Sequence, residues 1–235
     1  MRYLSKSDLE RISERVLTAY WKMPDAAGED WKVNPDLLTR SLLGLKMKYR
    51  TLSLTRELLG LTSFTEMELI LPDSDTRGPC ALDGKTVVIE NALHTDPRQQ
   101  GRRNFTVAHE ASHHILKMLF PRDYAAGMAA RMVYAYRDPA LKKRGTEPHN
   151  WEEWQMDVLS SYLLMPRELV MRNLEMALRG RDRLYRSGFN ALCRTMGVSR
   201  QAMALRLEGL GQGSALDWLC LENEIDIFMD EEDDL

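Results

Sequence analysis

The chain has 235 residues, a net charge of -3 and 44% hydrophobic residues, enough for one good-sized core or two small ones and of little general attraction for a phosphate backbone. It holds no run of about 18 apolar residues, and its start, Met1 to Asp8, lacks the apolar segment of a secretory signal, so a membrane-spanning or exported protein is not expected and a cytoplasmic one is. Cys80, Cys193 and Cys220 are far apart, odd in number and form no C-x-x-C pair, which suits reduced thiols.

Ser7-Asp8-Leu9-Glu10 fits a capping box, and Leu9, Ile12, Val16 and Ala19 follow at helical spacing, which predicts a first helix to about Tyr20. After a loop from Met23 to Asp30, Asn34 caps a second helix with Pro35 at its first position and Gly44 as its stop. Alternation from Leu45 to Leu54 predicts a strand, Leu58 to Leu71 another, Asp73 to Asp83 a loop and turn, and Lys85 to Asn91 a short β-branched strand. A helix is expected from Arg102 to about Leu119. The stretch Pro121 to Asn150 reads as an irregular insertion, with a short helix over Tyr124 to Tyr136. Helices follow over Trp151 to Leu164, Arg167 to about Arg179, Phe189 to Met196 and Arg200 to Glu208, the last capped by Ser199.

The helix from Arg102 carries His109-Glu110-Ala111-Ser112-His113, the pattern H-E-x-x-H. Residues four apart stand one turn above each other, so His109 and His113 can offer two imidazole nitrogens to one ion, with Glu110 beside them as general base. A catalytic zinc usually takes three protein ligands, and the helix from Trp151 supplies candidates for the third. Glu153 and Asp157 share one of its faces, whereas Glu152 points about 100° away. Glu153 is therefore preferred as ligand, with Asp157 placed to accept a hydrogen bond from a ligand histidine and fix its tautomer.

The phrase Arg103-Asn104-Phe105-Thr106-Val107-Ala108-His109-Glu110, followed by Glu153 and Leu163-Leu164-Met165-Pro166, resembles the ImmA/IrrE family of zinc metallopeptidases, which typically shows R-x-F-T-x-A-H-E-x-x-H and a later E-x-E-A-N-x-F-A-A-x-L-L-M-P. The resemblance covers best Lys85 to Pro166 and extends loosely to Val198-Ser199-Arg200 and Arg206-Leu207. It makes His109, His113 and Glu153 ligands of one Zn2+ per chain and Glu110 the base for a zinc-bound water. It also implies a metalloendopeptidase cutting a protein regulator, a helix-turn-helix repressor or an antitoxin. Gln155 stands where the family often has a second Glu, Asp157 where it has Asn, Ser160-Ser161 in place of Ala-Ala, and Ser112 where Gly is common.

The expected architecture is α+β and zincin-like: a small mixed sheet packed on the H-E-x-x-H helix and a second, glutamate-bearing helix, with an all-helical C-terminal part. The organisation is 1-54 (N-terminal helices and strand), 55-166 (metallopeptidase core), 167-221 (C-terminal helices) and 222-235 (acidic tail). Val87, Val88 and Ile89 form a candidate cleft rim on which an extended peptide adds as a strand. Tyr134, Tyr136 and His149 are candidate oxyanion donors, and Cys80 is a candidate fourth ligand that would close the site. The competing reading is a regulator that binds DNA or protein around a structural zinc. For that reading, the helix pair from Phe189 to Glu208, with Arg194, Arg200 and Arg206 near a surface, would be the recognition unit.

Overall fold

The computed structural model describes residues 2–26, 31–123, 133–137, 150–182 and 184–220, with side chains to 216 in the last stretch. It is a mixed α+β structure with a small sheet and many helices. The first helix, α1 (Lys6–Tyr20), starts one turn's edge earlier than its sequence signal. Ser5 is the N-cap, and Asp8 rather than Glu10 closes the capping box. Asn34 caps the second helix as expected, accepting from the amides of Asp36 and Leu37, and α2 (Pro35–Leu37) runs on as a π-helical turn, Leu38–Leu42.

The strands are β1 (Lys46–Arg50), β2 (Leu58–Thr62), β3 (Glu66–Leu69), β4 (Cys80–Asp83), β5 (Thr86–Glu90) and β6 (Tyr134–Arg137). The stretch Leu58 to Leu71 is two strands, because Ser63 turns the chain by accepting from Thr65 N at 3.1 Å. The expected loop over Asp73 to Asp83 holds a helical turn, α3 (Ser74–Arg77), and β4, whose Cys80 and Leu82 are buried while Ala81 and Asp83 face out. The part of the expected 124–136 helix that is described is instead β6, with buried and exposed residues alternating at period two.

The four-stranded sheet has the order β1-β5-β2-β6. β1 and β5 run parallel, and β2 is antiparallel to both β5 and β6. Strands β3 and β4 form a separate antiparallel pair that closes over Leu52, Leu61 and Val88 with Cys80 and Leu82. Val87, Val88 and Ile89 are therefore not a cleft rim. They lie on an interior strand with both edges already paired and are fully buried. An unbroken β-branched run is the mark of a strand covered on both faces.

After a short helix, α4 (Asn91–Thr95), comes α5 (Gln100–Leu119), then α6 (Trp151–Leu164), α7 (Arg167–Leu178), α8 (Arg186–Met196) and α9 (Arg200–Gly209). Helix α5 lies across β2, β5 and β6 on one side and against α6 on the other, and α6 also packs on α1. The main core joins Leu9, Leu17 and Tyr20 of α1, Ile115 and Leu116 of α5, Met156, Leu159 and Leu163 of α6, and Phe189 and Leu207 of the C-terminal helices. The α8–α9 turn is spent on this packing. Gly197 adopts φ +66° with its carbonyl accepting from Asn104 Nδ2 at 2.9 Å, and a Cβ there would sit 2.9 Å from that same nitrogen.

Arg206, expected near a surface, is only 5% exposed. Its Nε donates to Met165 O at 2.9 Å and its Nη2 to Glu10 Oε1 at 2.8 Å, joining α9, the end of α6 and α1. Among the described residues no helix is long and apolar enough to cross a membrane. The acidic tail lies outside the described residues.

Candidate metal centre

The site is built on the sheet-facing side of α5. Thr106, Glu110 and His114 lie a turn apart along one row of that helix, and His109 and His113 along the next. Strand β2 runs over the first row. A Cβ on Gly60 would come within 2.6 Å of Glu110 Oε1 and 2.7 Å of Thr106 Cγ2, so only a glycine lets strand and helix approach this closely. Two residues on, Thr62 Oγ1 gives its single proton to Thr86 O at 3.2 Å and accepts from His114 Nε2 at 2.7 Å. Burial, with the charge of Lys117, pushes the pKa of His114 down to about 4, which keeps it neutral. Strand β6 runs over the second row: the Tyr136 ring centroid is 4.0 Å from that of His109 and Tyr134 is 4.7 Å from His113.

The second helix enters from the opposite side. Asn150 caps α6 by accepting from Glu152 N and Glu153 N, which sets Glu153 in the first turn. Ser112 of α5 and Ser160 of α6 bring their hydroxyls to 3.1 Å, each also donating to the carbonyl one turn back in its own helix, so two small side chains let the helices cross closely. Leu4 N donates to Gln155 Oε1 at 2.6 Å and ties the N-terminal segment to the same helix.

These contacts bring Glu153 Oε2 to 3.1 Å from His109 Nε2 and 3.9 Å from His113 Nε2. His109 Nδ1 faces Asp157 Oδ1 at 2.9 Å. One ligand atom each from His109, His113 and Glu153 lie within 4.8 Å of one another, a group able to hold a metal ion. Burial alone would lower the pKa of His109. Hydrogen bonds to Asp157 and then Glu153, with the charges of Asp157 and Glu110, outweigh it and hold the imidazole up at about 10. Each ring nitrogen of His109 thus faces a carboxylate oxygen, Nδ1 that of Asp157 and Nε2 that of Glu153.

Glu110 is the odd member. It is fully buried, and neither carboxylate oxygen has a hydrogen-bond partner among the described residues. Burial pushes its pKa up to about 8, with the His109 charge pulling it back and Glu153 raising it further. An unsatisfied buried carboxylate is costly, and this one lies next to the group formed by His109, His113 and Glu153. Two imidazoles and a carboxylate are a donor set that fits a metal ion.

The residues singled out in the sequence, His109, Glu110, His113, Glu153, Asp157, Tyr134 and Tyr136, are gathered here. Val87 to Ile89 are not, His149 lies outside the described residues, and Cys80 is packed among Leu52, Leu61, Leu82 and Val88. Sequence reasoning missed Gly60, His114 and the tie that Gln155 makes to Leu4. A lone glycine in the apolar run Leu58-Leu59-Gly60-Leu61 is the usual sign of close backbone approach and was the available signal for the first. Nothing local distinguishes the other two. The chain matches no protein-family model and no curated protein.

Proposed function

We propose that this chain is a zinc-dependent metalloendopeptidase of zincin-like arrangement, acting in the cytoplasm on a protein regulator such as a repressor or antitoxin. The observation that carries the reading is the buried, unpartnered Glu110 carboxylate next to the group formed by His109, His113 and Glu153. A zinc ion there would acidify water and polarise a peptide carbonyl. His109, His113 and Glu153 would hold it, with Asp157 keeping His109 turned so that Nε2 faces Glu153. Glu110 would take a proton from water on its carboxylate and deliver it to the leaving amine nitrogen. Two histidines and a carboxylate with no thiolate in the group suit a catalytic centre better than a structural one, which more often recruits cysteine. The regulator as substrate rests on the resemblance to the ImmA/IrrE family alone.

The test couples metal content to cleavage. Co-expression with the products of neighbouring genes should yield a fragment whose appearance requires the intact group. Glu153→Ala should purify with its zinc affinity reduced at least 10–100-fold, the range seen when a metal site loses support, and should produce no fragment. Full zinc occupancy in that variant removes Glu153 from the ligand set, and an undiminished fragment removes the metal from the reaction.

A further inference from the structure

We propose that β6 is a clamp for the two imidazoles, in which the ring faces of Tyr136 and Tyr134 hold His109 and His113 in their metal-binding orientation. The inference rests on the metal reading for its consequence but on geometry for its existence. Alternate residues of a strand are about 6.6–6.8 Å apart and residues four apart on a helix about 6.0 Å, so a strand laid along a helix can match every second side chain to every fourth. β6 does so. Tyr136 meets His109 at 4.0 Å with 33° between the planes, and Tyr134 meets His113 at 4.7 Å with 44°.

The clamp is itself held. Tyr136 and Tyr134 are 5% and 7% exposed, with the Phe105 ring 6.3 Å from the first and the Phe64 ring 5.4 Å from the second. Across the strand pair, Tyr136 stands opposite Gly60 and Tyr134 opposite Thr62. Glycine keeps the sheet low enough over α5 for the rings to touch, and Thr62 is pinned to His114. Asp157 fixes His109 in its own plane through Nδ1. A ring against its face restrains the remaining rotation, and close aromatic pairs of this kind contribute beyond their buried area. An imidazole restrained in both senses loses less freedom when it ligates, so the clamp acts on metal affinity and acts through ring faces, not hydroxyls.

The probes are zinc alone, titrated against a chelating dye, and the imidazole carbon-bound proton shifts of His109 and His113 in the full chain without metal. Tyr136→Leu and Tyr134→Leu should each weaken zinc binding about 10–100-fold, as loss of a ligand's supporting partner does, and should shift the imidazole protons of the histidine they cover. Tyr136→Phe and Tyr134→Phe should keep both the wild-type zinc affinity and the wild-type shifts. Leu variants with unchanged zinc affinity, or Phe variants that lose zinc as the Leu variants do, overturn the clamp. Should the Leu variants not fold, the wild-type protein still decides. Imidazole protons without the upfield displacement of a neighbouring ring face sink the proposal. A wild-type protein that binds no zinc but shows those displaced shifts fails the metal reading and leaves the clamp standing.

Discussion

Glu110→Gln is expected to abolish cleavage, keep the metal and make the metal-free protein more stable. Removing a positioned general base costs on the order of 10^2–10^4-fold in rate. The proposed ligands His109, His113 and Glu153 are untouched, so zinc content should match the wild type. The gain in stability follows from linkage. The Glu110 pKa rises from 4.5 to about 8 on folding, so the stability it provides is fully present below about pH 4.5 and is lost as pH climbs through about 8. At neutral pH burial of this carboxyl therefore lowers stability relative to a neutral isostere of the same shape. Denaturant titrations of the two metal-free proteins should coincide below about pH 4.5 and separate toward pH 8, with glutamine the more stable. Unchanged cleavage would refute the base assignment, and a wild type as stable as the glutamine variant at pH 8 would refute the burial cost.

Gly60→Ala should damage the same group from the other side. Its Cβ would stand 2.6 Å from Glu110 Oε1, 2.7 Å from Thr106 Cγ2 and 3.0 Å from Glu110 Cγ, and both neighbours belong to a packed helix. Overpacking of this kind costs roughly 1–3 kcal/mol. Glu110 must also move, so cleavage should fall at least as much as stability suggests while zinc content stays high. Adding Thr106→Ser removes the Cγ2 methyl and should recover part of the lost melting temperature without recovering cleavage, because Glu110 remains displaced. A Gly60→Ala protein with wild-type melting and cleavage would show that β2 does not hem in the carboxylate.

The two halves of the centre were unequally legible in the sequence. His109, His113, Glu153 and Asp157 are pairs at helical spacing, and spacing within one helix is a local property. Caps at Asn34 and Ser199 were readable for the same reason, whereas the α1 cap slid from Ser7 to Ser5 because Asp8 stands where it can close the box. The sheet was not legible. Tyr134-Ala135-Tyr136-Arg137 is too short to announce a strand, and its partner, β2, lies far back in the chain. Val87 to Ile89 carried a usable clue, since an apolar run without polar alternation belongs inside a sheet rather than at its rim. Arg206 looked like a surface charge because nothing nearby in sequence reveals Glu10 and Met165 O as its partners.

The pairing of Thr62 with Tyr134 also bears on when the protein becomes competent as it folds. Closing a loop costs more entropy the longer it is, so the local β3–β4 pair and the individual helices are expected to form early, and the joining of β6 to β2 and of α6 to α5 late. On that order the imidazoles, the Glu153 carboxylate and the tyrosine ring faces would meet only at those last closures. A chain still being made, or one misfolded short of them, carries every residue of the centre and no centre. In refolding experiments cobalt uptake should accordingly trail the return of helical signal; uptake in step with it would mean that the ligands assemble before the sheet closes.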